Sequence, residues 1–78
     1  MNNNKKILIT EFINQNSFEH LNKQFDVRYD EKLCENENEI TRIIKDYDGL
    51  IVRNKTQVNL SILKNALKLK FIGRLGVG

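Results

Sequence analysis

Proline and tryptophan are missing from this chain, cysteine and histidine occur once each, and no apolar run is longer than four residues. Each shortage excludes something. Crossing a bilayer as a helix takes about 20 apolar residues. The polar opening, residues 1–6, leads into no signal-like apolar stretch, so the expected address is cytoplasmic, with no membrane partner. A lone Cys34 cannot form an internal disulfide and gives no sign of an oxidising compartment. A cysteine nucleophile wants an imidazole partner. His20, the one candidate, lies off the apolar side marked by Phe18, Leu21 and Phe25, so both residues read as chemical spectators. The chain is 40% hydrophobic and 29% charged without a low-complexity tract, which favours folding over disorder. Its 78 residues allow one small domain, and a domain near that size buries only about 60% of its unfolded surface.

Acidic residues are absent from the last 30 positions. Residues 1–48 carry seven basic and ten acidic side chains, whereas residues 49–78 carry Arg53, Lys55, Lys64, Lys68, Lys70 and Arg74, a block of +6. A one-sign block favours an anionic partner, either nucleic acid or a small carboxylate or phosphate. Lys64, Lys68 and Lys70 read as a solvated helix face and its exit. Arg53 and Arg74 differ because each follows an apolar strand.

The chain is organised around D-G-L-I-V-R-N-K-T, residues 48–56. Leu50, Ile51 and Val52 suit a strand buried on both faces of a parallel sheet. The run then gives way to Arg53, Asn54, Lys55 and Thr56, at the carboxyl edge where open α/β folds place ligands. Earlier, Ile7, Leu8 and Ile9 form a second buried strand ending at Thr10 and Glu11. Asn16 with Glu19 offers a capping box for a helix to about Lys23. Phe25, Val27 and Tyr29 alternate with Asp26, Arg28 and Asp30, the pattern of an edge strand. Asn36 and Glu39 cap an amphipathic helix bearing Ile40, Ile43, Ile44 and Tyr47. Val58 and Leu63 staple a third helix on an Asn59 cap, with Leu60, Ile62, Leu63, Ala66 and Leu67 as a broad apolar stripe. Phe71 and Ile72 form a last strand before G-R-L-G-V-G.

The alternation of strand and helix argues for an α/β parallel sheet with right-handed crossovers. With the second strand at an edge the order is 2-1-3-4, flavodoxin-like, with helices on both faces and an incomplete three-layer domain. Arg53 and Arg74 then leave neighbouring strands, about 4.8 Å apart, and both guanidinium groups can reach one anion. A phosphoacceptor site lacks its aspartate, since Glu11 stands alone and Asp48 precedes its strand. A flavin phosphate loop lacks its glycine. The terminal glycines are spaced G-x-x-G-x-G rather than G-x-G-x-x-G, which speaks against dinucleotide binding by this segment.

The pair D-G-L-I-V-R-N-K-T and L-K-F-I-G-R-L-G-V-G, at this separation, closely resembles the opening of the D-2-hydroxyacid dehydrogenases, especially the phosphoglycerate dehydrogenase branch. The resemblance covers residues 5–78. It implies an NAD-dependent oxidoreductase, of which residues 1–78 are a partial substrate-binding domain. The NAD-binding domain and the catalytic arginine, glutamate and histidine are expected beyond Gly78, so the segment alone is expected to bind no cofactor and to be inactive. For the branch it also implies a place in serine biosynthesis. By motif position the contacts to a small anionic hydroxy or oxo acid fall on Arg53, Asn54, Arg74, Leu75, Gly76, Val77 and Gly78, with none catalytic. Asn54 stands where the family commonly has serine, keeping a donor and an acceptor at a different reach.

Two other classes use the same residues: a stand-alone anion-binding module at the Arg53 and Arg74 edge, and a nucleic-acid binder using the +6 half. Sparse aromatic residues, set deep in the apolar stripes, disfavour the second. If the chain ends at Gly78, the fourth strand lacks a neighbour and self-association through that edge is expected.

Overall fold

The computed structural model describes residues 5–75. Four strands and three α-helices alternate: β1 (Lys6–Ile9), α1 (Gln15–Gln24), β2 (Asp26–Tyr29), α2 (Glu37–Ile43), β3 (Gly49–Val52), α3 (Leu60–Asn65) and β4 (Phe71–Arg74). The sheet has the order β2-β1-β3-β4, and every pairing is parallel. The order and direction expected from the sequence are those observed.

Alternation along the strands builds two cores. Ile7, Ile9 and Ile51 face one side with Ile13, where Phe18 and Leu21 of α1 pack. Leu8, Leu50 and Val52 face the other side and meet Ile40, Ile43 and Ile44, with Ile62 from α3. Burial on both faces explains why β1 and β3 read as continuous apolar runs. β2 lies at one edge with its odd positions half covered and Asp26 and Arg28 exposed.

Local details differ from the sequence reading in three places. α1 begins two residues early, on Asn14, whose Oδ1 accepts the Ser17 N–H at 2.8 Å. The Asn16 cap does not form, and Glu19 accepts from Gln15 Nε2 instead. Starting at Gln15 puts Phe18 one turn into the helix, against Ile13 just before the cap, so a hydrophobic staple fixes the entry. The Asn36 and Asn59 caps are as expected, bonding Glu39 N–H and Ile62 N–H at 3.1 Å each. α2 stops at Ile43 and tightens into a 3-10 turn, Ile44–Asp46, before β3. The stripe on α3 is the third difference. Ile62 is fully buried, but Leu60, Leu63 and Leu67 are exposed, because the helix has only six residues and cannot turn all five apolar positions onto the sheet.

At the amino ends of the strands, the Asp48 carboxylate accepts the Lys6 N–H at 2.8 Å, which holds it below the usual carboxylate range. The Asp48 carbonyl accepts the Lys70 N–H. This one residue therefore ties β1, β3 and β4 together at the end opposite the basic edge.

Candidate functional site

β1 and β3 run side by side with Ile9 opposite Ile51, so the two residues that follow each strand meet at the carboxyl edge. Glu11 is the buried acid at that edge. Its Oε2 accepts the N–H groups of Arg53 at 2.9 Å and Thr56 at 2.6 Å, and its Oε1 accepts that of Lys55 at 2.9 Å. Burial pushes this carboxyl up, but the N–H groups of Lys55, Arg53 and Thr56 outweigh burial and bring it from 4.5 down to about 2. Thr10 and Thr56 join their hydroxyls beneath it at 2.8 Å. The loop after β3 is thus wrapped around a fixed carboxylate.

The arginine side chains beside that loop turn to main-chain carbonyls. The Arg53 guanidinium donates from Nε to the Leu75 carbonyl at 3.2 Å and from Nη1 to the Phe12 carbonyl at 3.3 Å. Arg74 donates from Nη1 to the Arg53 carbonyl at 2.7 Å. Arg74 is the last residue of β4, paired with Val52, so the strand runs two residues past Ile72. Leu75 continues the contact, its N–H bonding the Val52 carbonyl at 2.8 Å. The two arginines are therefore neighbours at one edge, Arg53 donating to two main-chain carbonyls and Arg74 to one. An arginine carries five N–H donors, and Nη2 of both has no hydrogen-bond partner among the described residues.

Arg53, Asn54 and Lys55 line one side of a hollow of about 430 Å³, and Phe12, Lys32 and Cys34 with the carboxylates of Glu11, Glu31 and Glu35 line the rest. A volume of that order suits a small ligand. Arg74 borders the same loop without lining the hollow, and Leu75 faces a separate apolar depression beside Leu21 and Ile51. Gly76, Val77 and Gly78 lie outside the described residues. Cys34 donates to the Glu31 carbonyl, and burial pushes its thiol up, which disfavours the thiolate. His20 is exposed on α1 near Gln24.

Among these residues Glu11 is one that the sequence reading did not place at the site, while Lys55 belongs to the strand-end tetrad without being assigned a substrate contact. The signal for Glu11 was present: an acid directly after a buried strand, next in the sheet to a strand that ends in a basic loop.

The matching family model settles the kinship. D-isomer specific 2-hydroxyacid dehydrogenase, catalytic domain, matches residues 7–78. The chain belongs to this family. D-3-phosphoglycerate dehydrogenase of Methanocaldococcus jannaschii is 37% identical over 73 residues, and that of Archaeoglobus fulgidus 30%, each match covering 94% of this chain and 14% of the relative. (S)-sulfolactate dehydrogenase of Chromohalobacter salexigens is 32% identical over 92% of the chain and 23% of the relative. A crystal structure of a Pyrococcus horikoshii OT3 protein superposes with a TM-score of 0.82 at 27% identity, covering 90% of this chain and 20% of that one. The chain thus spans about a seventh of the length of the phosphoglycerate dehydrogenases it matches.

The dinucleotide of such 2-hydroxyacid dehydrogenases does not fit the β1 end of this sheet. A pyrophosphate there needs a glycine-rich turn and open N–H groups at a helix start. Here the turn contains no glycine, places the Glu11 carboxylate among the loop donors, and closes α1 with Asn14.

Proposed function

We propose that this chain is the opening part of the substrate domain of an NAD-dependent oxidoreductase acting on the CH–OH group of a D-2-hydroxy acid, with the dinucleotide held by another domain. The basic carboxyl edge serves the substrate's anionic groups. Arg53, Asn54, Arg74 and Leu75 contribute to it, and the family resemblance assigns Gly76, Val77 and Gly78 to the same contacts. The observation that carries this reading is the junction of Arg53 and Arg74 on neighbouring strands beside a ligand-sized hollow. The names of the curated relatives narrow the class. Phosphoglycerate and sulfolactate share a carboxylate, a 2-hydroxyl and a second strong anion on the third carbon. A substrate of that kind suits an edge rich in guanidinium donors.

In this reading the segment orients the acid and performs no proton or hydride transfer. Each charge-assisted hydrogen bond contributes roughly 1.5 to 3 kcal/mol, so two or three on a half-open edge give about millimolar binding. Titrating the chain with 3-phosphoglycerate while following its amide and arginine resonances tests the assignment. Weak, saturable shifts centred on residues 53–55 and 74–75 are expected. Shifts centred on Lys64, Lys68 and Lys70, or none at all, contradict it.

A further inference from the structure

We propose that Glu11 is the positioning residue of this edge: its carboxylate fills, from inside the fold, the anion cradle formed by the backbone of residues 53–56, and so turns Asn54 and the Arg53 side chain toward the substrate.

Clustered backbone N–H groups converging on one point make an anion-binding concavity. In many proteins a ligand fills such a concavity. Here both oxygens of Glu11 are committed to it, with the N–H groups of Arg53, Lys55 and Thr56 pointing inward. The N–H of Asn54 is not among them, and Asn54 stands exposed at the apex over the hollow. No backbone-to-backbone hydrogen bond among the described residues starts or ends on residues 54–58. The loop is therefore fixed by side chains, the Glu11 carboxylate and the Thr10 hydroxyl, rather than by a ladder. Arg53 inherits its placement from this arrangement, since its own N–H is one of the three that Glu11 holds. A substrate acid consequently meets side chains and the Asn54 apex, and the main-chain cradle is unavailable to it.

The effect of Glu11 on the substrate acid rests on the proposed substrate reading; its role in the loop does not. Two sets of measurements keep them separate. In this chain, Glu11→Gln is expected to speed hydrogen exchange of the Arg53, Lys55 and Thr56 amides by about tenfold or more, as loss of a charged acceptor implies, with Ile51 unchanged. Glu11→Ala should behave likewise, and added formate, which can enter the vacated cradle, should restore protection where chloride does not. In the longer enzyme Glu11→Gln is expected to raise KM for the hydroxy acid on the order of tenfold through misplacement of Arg53, with KM for the dinucleotide unmoved and partial formate rescue of Glu11→Ala. Unchanged exchange at residues 53–56 overturns the proposal. So does a collapse of protection across the whole sheet in both variants without a formate response, which makes Glu11 a general determinant of folding. A loosened loop with an unaltered KM for the acid overturns the positioning role. If Glu11→Gln loosens the loop while Arg53→Ala leaves the acid unaffected, the substrate reading fails and the cradle stands.

Discussion

The carboxylate of Glu11 accepts the backbone N–H of Arg53 at 2.9 Å, across the ends of two adjacent parallel strands. The contact follows from register, because each residue lies two positions beyond the paired Ile9 and Ile51. It brings a buried acid from the first part of the chain to the loop that opens its basic part.

This contact predicts acid sensitivity with a definite sign. Glu11 in the folded chain titrates at about 2 rather than 4.5. Its stabilisation is therefore fully present above about pH 4.5 and lost as pH falls through 2. At 1.36 kcal/mol per unit the contribution is about 3 kcal/mol. Urea unfolding of the wild type and Glu11→Gln at pH 7, 4 and 2.5 should show a gap that narrows on acidification. A gap independent of pH contradicts the assignment.

Gly49 opens β3 where a side chain has no room. A methyl there would run into the Phe71 ring and would lie 2.7 Å from Ile7 Cδ1. Phe71 is half open to solvent and can shift, whereas Ile7 is fully buried. Gly49→Ala should cost about 1 kcal/mol, at the low end for overpacking. Chemical denaturation checks it, and pairing with Phe71→Leu should recover part of the loss. An unchanged or higher stability contradicts the packing argument.

Asn59 both caps α3 and reaches α2, through Ile62 N–H at 3.1 Å and Glu37 Oε2 at 2.8 Å. Asn59→Ala should lower stability by about 1 kcal/mol. Asn59→Asp keeps the cap but sets two carboxylates face to face, so it should fall between Asn59 and Ala. Thermal melts in low salt rank the three, and equal melting temperatures contradict the cap.

Among the described residues β4 has a strand neighbour on one side only, with Phe71 41% and Ile72 42% exposed. Such an edge templates pairing. We expect the chain to self-associate at high concentration by sedimentation, and Ile72→Lys to suppress this. A concentration-independent monomer in the wild type contradicts the expectation.

The fold was legible because period and run length are backbone properties: Ile7, Leu8 and Ile9, like Leu50, Ile51 and Val52, admit little but a doubly buried strand. The sheet order followed from the polar face of β2. Two asparagines, Asn14 and Asn16, stand at the start of α1, and the packing of Phe18 with Ile13 goes with Asn14 as its cap. The α3 stripe misled because its apolar spacing does not reveal where a short helix ends. The arginines were visible as strand ends, but their grip on the carbonyls of Phe12, Arg53 and Leu75 depends on loop paths set by Glu11.

Steady-state kinetics of Arg53→Ala and Arg74→Ala in the NAD-dependent enzyme we propose this chain to be part of, varying the hydroxy acid and the dinucleotide separately, test the central claim most directly. Loss of a charged donor to the substrate should raise KM for the acid or lower kcat/KM on the order of tenfold or more, while KM for the dinucleotide stays nearly unchanged. Weakened dinucleotide binding with the acid spared contradicts the assignment of this edge to the substrate.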